Sequence, residues 1–94
     1  MPGLQTSITN YAAGVSNPLI VEGQAPLTVT LIPGNGSAKV QYSTSSKVQV
    51  SNGTANWLDW PYGMIGLPRT DGLMLPITAL RLFSSADATL EVVG

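Results

Sequence analysis

Trp57, Trp60 and Tyr62 are the residues whose type and spacing come nearest to chemistry. Aromatic rings separated by so few positions can form a flat platform on which sugar rings stack. A plainer reading gives the same rings to a core, because they hold the largest apolar areas in a chain with only 6% aromatic residues. In an extended segment Trp57 and Asp59 share one face, and Leu58 and Trp60 share the other. The expectation is therefore that one tryptophan closes the core while the other meets a partner chain or solvent.

Other reactive groups are scarce. The chain has no histidine, the usual acid/base at neutral pH, and no cysteine, so thiolate metal sites and disulfides are excluded. Serine and threonine hydroxyls are plentiful, but a hydroxyl nucleophile needs a base, and Lys39, Lys47 and the carboxylates are not paired with one in sequence. Asp59 and Asp71 could meet as a carboxylate pair for glycoside hydrolysis, yet two acids in a domain this small more commonly cap loops or pair with Arg69. Asp59, Asp71 and Asp87 lie too far apart to suggest a calcium loop. Gly34-Asn35-Gly36 begins like a dinucleotide fingerprint but lacks the third glycine and the following helix, so it reads as a turn. Asn35-Gly36-Ser37 and Asn52-Gly53-Thr54 match the glycosylation pattern and read better as turns needing positive φ. The expectation is a protein that is not an enzyme and uses no cofactor and no metal.

Charged residues are 10% of the 94, against about a quarter in ordinary small domains, and the net charge is -1. The basic residues Lys39, Lys47, Arg69 and Arg81 are scattered, which argues against a nucleic-acid partner. A surface so poor in charge suits burial against other chains, since charge is depleted at interface cores. No apolar run approaches the 18 or so residues of a membrane span, and Met1 to Gly14 lacks the basic and apolar regions of a signal peptide. The expectation is a soluble protein made in a cytoplasm, without membrane contact. A chain of this length forms one thin-cored domain, for which help from neighbouring chains is plausible.

The elements that must position the aromatic segment are strands. Residues 1–17 read as an N-terminal arm or weak strand with a short alternating patch from Ile8 to Tyr11, and residues 18–94 as a single all-β domain. Leu19 to Val21 fits a short strand between two Xaa-Pro pairs. Leu27 to Ile32 alternates with period two, Gly34 to Ser37 turns, and Ala38 to Ser43 alternates again, which reads as a hairpin pairing Leu31 with Val40. Lys47 to Ser51 reads as a further strand ending at Asn52-Gly53. Tyr62 to Pro76, rich in glycine and proline, reads as a long loop folded back with its apolar residues, including Met64, Ile65 and Leu67, turned inward. Loops of that length tend to be functional. The last segment reads as a second hairpin, with Arg81 opposite Glu91. The two segments share apolar positions: Val29-Thr-Leu-Ile and Ser37-Ala-Lys-Val-Gln-Tyr match Leu80-Arg-Leu-Phe and Asp87-Ala-Thr-Leu-Glu-Val. Common alternation on one core explains this somewhat more readily than duplication. The fold expected is a small antiparallel β-sandwich or barrel-like domain built from hairpins, with no helix longer than a turn.

Ala38-Lys-Val-Gln-Tyr-Ser-Thr-Ser, Asn52-Gly-Thr-Ala-Asn-Trp-Leu-Asp-Trp-Pro, Pro76-Ile-Thr-Ala-Leu-Arg-Leu and the closing Ala88-Thr-Leu-Glu-Val-Val resemble small all-β virion accessory proteins of tailed bacteriophages, of the head decoration, cement or fibre type. The resemblance covers Ala38 to Val93, leaves out the N-terminal third, and rests on structural rather than catalytic motifs. It implies a capsid decoration protein, commonly a homotrimer, that binds the major capsid protein or another virion protein, stabilises the assembled head and resides in the virion. Candidate interface residues are Trp57, Trp60, Tyr62, Met64, Ile65, Leu67, Arg69, Ile8 and Tyr11. The alternatives are a glycan-binding β-sandwich module using Trp57, Trp60 and Tyr62, and a tail- or fibre-associated virion component.

Overall fold

The computed structural model describes residues 5–23, 25–60 and 63–94. They form strands β1 (Gln5–Asn10), β2 (Gly14–Val15), β3 (Leu19–Ile20), β4 (Leu27–Pro33) and β5 (Ala38–Ser43). After the helix α1 (Lys47–Asn52) come β6 (Leu58–Asp59), β7 (Arg69–Leu73), β8 (Ala79–Ser84) and β9 (Ala88–Val93). All strand pairs are antiparallel. One sheet has the order β1-β9-β4-β7 and the other β2-β8-β5-β6, with β3 also on β8. This is the small antiparallel sandwich that the alternation demands, because each sheet has one apolar face to bury. Leu27, Val29 and Leu31 of β4, Val40 of β5, Leu80 and Leu82 of β8, and Leu90 and Val92 of β9 fill the space between the sheets.

Neither expected hairpin forms. β4 and β5 lie in different sheets, as do β8 and β9, so each turn carries the chain across the sandwich rather than back along the same sheet. Leu31 stands opposite Leu90, and Val40 opposite Leu82. An arch and a hairpin place their apolar residues on the core in the same alternation, so the pattern alone does not separate them. The matching segments are nevertheless meaningful: the first strand of each copy pairs with the second strand of the other, β4 with β9 and β8 with β5. The pairing has an approximate two-fold symmetry that extends into the arches. Gly34 N–H donates to the Asp87 carbonyl at 2.9 Å, and Ser85 N–H donates to the Ser37 carbonyl at 2.8 Å. A Cβ on Gly34 would collide with the Asp87 carboxylate, which would have to swing away from the Asn35 N–H it accepts from.

The segment Lys47 to Ser51 is helical, not a strand. Ser46 accepts from Gln49 N–H at 3.2 Å while the Gln49 side chain accepts from Ser46 N–H at 3.0 Å, a reciprocal capping box. Gly53, at φ 81°, closes the C-terminal end in the left-handed region. Only Val50 of the helix is buried, and Val48 is exposed. The expected Arg81–Glu91 pair is also absent: Arg81 faces Gln41, and Glu91 lies between Ser7 and Thr30.

Candidate functional site

Trp60 and Trp57 have separate environments. Trp60 donates its backbone N–H to the Val40 carbonyl at 2.8 Å, and its ring joins the core, 8% exposed. It fills the gap between the sheets on the side where β6 and β7 form their edges, leaving a space of only about 20 Å³ beside Val29, Leu31 and Ile65. Trp57 is half-buried on the outer face of the second sheet, where the Arg81 guanidinium lies 4.4 Å from its ring centre. A platform made of Trp57 and Trp60 therefore does not exist. Tyr62 lies outside the described residues.

Around Trp57 the strand pairing builds a polar strip. Arg81 Nε donates to Gln41 Oε1 at 2.7 Å, Gln41 Nε2 donates to Asp59 Oδ1 at 2.8 Å, and Lys39 Nζ donates to Asp59 Oδ2 at 3.1 Å. The Lys39 ammonium also sits 5.0 Å from the Phe83 ring centre. The Gln41 hydrogen bond, and after it that of Lys39, hold the Asp59 carboxyl below the usual carboxylate range. Partial burial lowers the Arg81 guanidinium from its ordinary value. The strip satisfies its own polar groups.

The apolar residues of the stretch before Pro76 are mostly turned out, contrary to the expectation. Ile65 does pack on the core and exchanges backbone hydrogen bonds with Ala38, at 3.0 and 2.8 Å. Met64, Leu67, Met74 and Leu75 are exposed, as is Leu58 on β6. The reason lies in β7, which occupies part of the expected loop and pairs with β4. Once its backbone is committed to that ladder, Arg69 and Asp71 fall opposite Leu31 and Val29 on the core side, where the two charges pair with each other at the open flank. The apolar residues on either side of β7 are left outside.

Leu58, Leu75, Trp60, Tyr42, Leu73 and Ile77 line a groove of about 500 Å³ along this flank. Ile65, Leu67 and Arg69 border a second concavity. Ile65, Leu67 and Arg69 thus lie side by side, and the exposed Met64 precedes Ile65 in the chain. Ile8 and Tyr11 do not join them: Ile8 is half-buried on the far edge of the first sheet, and Tyr11, just beyond it, is 89% exposed. Sequence reasoning missed Leu58, Met74 and Leu75 as surface residues. Their placement beside glycine, proline and aspartate, without an alternating partner, was the available signal. Among the described residues no three carboxylates lie together as a metal site. Among the described residues no helix is long and apolar enough to cross a membrane. The chain matches no family model, no curated protein and no solved structure.

Proposed function

We propose that this chain is a non-enzymatic structural subunit of a tailed-phage particle, a head-decoration or cement protein that seats on the assembled shell through the β6–β7 flank. The observation that carries the reading is the concentration of exposed apolar residues there. Leu58, Leu67, Met74 and Leu75 are 57 to 78% exposed in a chain with only 10% charged residues. Exposed apolar surface gathered around a groove marks an interaction site more often than chance exposure does. The resemblance of residues 38–93 to virion accessory proteins supplies the kind of partner, the major capsid protein. Many copies on a symmetric lattice gain avidity from weak individual contacts.

The test is cosedimentation with shells of the phage whose genome carries the gene. A Leu58→Asp, Leu75→Asp double variant is expected to bind at least about tenfold more weakly, a loss of about 1.4 kcal/mol. Its thermal unfolding should be nearly unchanged, because surface substitutions of this kind shift stability by about 0.5 kcal/mol or less. Undiminished binding by the double variant refutes the flank. Labelling on the tail rather than the head favours the tail or fibre role. A glycan-binding role no longer has Trp60 to use, and glycan-array binding abolished by Trp57→Ala in a folded protein would replace the virion reading.

A further inference from the structure

The edges of the two sheets are not protected alike. An edge strand offers unpaired N–H and C=O groups to any other strand, and stable proteins guard such edges with charge, proline, bulges or extreme shortness. β7 carries Arg69 and Asp71 on its core-side face, and Pro68 precedes it. β6, β2 and β3 are two residues each, and β3 follows Pro18. β1 has none of these guards: Gln5-Thr-Ser-Ile-Thr-Asn is six residues long, uncharged and free of proline, and it pairs without a break with β9.

The hydrogen-bond pattern identifies which of its backbone groups are available. Gly34 N–H donates to the carbonyl of Asp87, and continuation of the β4–β9 register puts these residues directly opposite each other. In an antiparallel ladder such pairs alternate, so Thr89, Glu91 and Val93 direct their backbone groups at β4, and Ala88, Leu90 and Val92 direct theirs at β1. The partners of the latter, Asn10, Ile8 and Thr6, are committed to β9. The N–H and C=O groups of Gln5, Ser7 and Thr9 therefore point away from β9, to the side where no described strand pairs.

We infer that this edge is an interface for a second copy of the chain, pairing β1 with β1 antiparallel about a two-fold axis to give one continuous sheet across both protomers. Two observations favour a second copy over another strand. An uncharged strand meets its own image without like-charge repulsion in any register. The strand is also self-complementary in a register that keeps its faces: Ser7 and Thr9 exchange hydrogen bonds with Thr9 and Ser7 of the copy, and Ile8 falls opposite Ile8. That position is a non-hydrogen-bonded pair, the closest approach of side chains in such a ladder. It completes the burial of Ile8, which the monomer leaves half-covered, and brings the exposed Tyr11 opposite Gln5 of the copy. A one-residue slip would turn Ile8 against the polar face and is disfavoured. The contact is on the far side of the sandwich from the β6–β7 flank and does not depend on what the flank binds.

Light scattering on the eluting full chain tests the inference. The expected result at micromolar concentration is a mass approaching twice that of the chain, falling on dilution, because an interface of one strand is small. Ser7→Pro removes a donor that the monomer does not use, a substitution tolerated at an outward-facing edge position. It should return the mass to that of one chain while the circular dichroism is unchanged. Independently, Ile8→Cys in this cysteine-free chain should give a disulfide-linked dimer on mild oxidation, and Ser7→Cys should not. A wild-type chain that stays monomeric, an oligomer that survives Ser7→Pro, or cross-linking at Ser7→Cys instead of Ile8→Cys overturns the proposed contact. An oligomer that persists in Ser7→Pro and is lost in the Leu58→Asp, Leu75→Asp variant would assign self-association to the flank.

Discussion

Asp59 accepts from an amide and an ammonium on the neighbouring strand, and both hydrogen bonds favour its ionised form. Its folded pKa lies below the ordinary carboxylate value of about 4. The sign follows: whatever stability the pairing contributes is present above that ordinary value and is lost as the pH falls through the depressed one. The group is exposed, so the effect on stability is small and screened by salt. A carboxyl titration followed by NMR is the suitable measurement. Gln41→Ala is expected to move the midpoint up towards the ordinary value, and Lys39→Met to move it up by less. A midpoint that stays in place in both variants would disprove the assignment. Little of this strip could be read from sequence. Arg81 and Gln41 are partners only because β8 pairs with β5, and a hairpin reading gives Arg81 to Glu91.

Among the elements, the segment after β6 has the clearest mechanical role, because Trp60 plugs the open side between two sheet edges. Trp60→Ala is expected to destabilise the fold by about 3 to 5 kcal/mol, measured by chemical denaturation, since the surroundings cannot collapse into so large a cavity. A loss under about 1 kcal/mol would mean the plug is dispensable. The position of this residue was half legible: alternation separates Trp57 from Trp60 onto opposite faces but does not say which faces inward. The strands β4, β5, β8 and β9 were legible from period-two alternation, and the short strand β3 from its prolines. Their partners were not, because a period of two records which face is apolar and contains nothing about which strand lies alongside. The helix α1 was missed although Ser46 and Gln49 stand at the spacing of a capping box. Lys47-Val-Gln-Val-Ser alternates over so few residues that it fits either element, and the cap decides it.

At the scale of the whole molecule, the resemblance between the two segments acquires its meaning from the way they interlock. Every long ladder in the sandwich joins distant parts of the chain: β1 with β9, β4 with β9 and β7, and β5 with β8. Apart from β7 on β4 and the two-residue β6 on β5, the strands of the first copy have no partner until the second copy exists. A ribosome therefore releases the first arch before its two main partners, β8 and β9, exist, and the sandwich is completed only after β9 has emerged. Closing such large loops costs entropy before any contact compensates for it, which makes the transition state late to form. Stopped-flow refolding followed by tryptophan fluorescence should show a rate in the millisecond-to-second range usual for all-β domains. Refolding within microseconds would contradict this. A chain ending before Ala88 should have no stable fold, because β9 is the strand that holds β1 and β4 together. During synthesis the uncharged edge strand β1 is thus left unpaired for longer than in a fold built from hairpins, because its partner β9 follows every other strand in the chain.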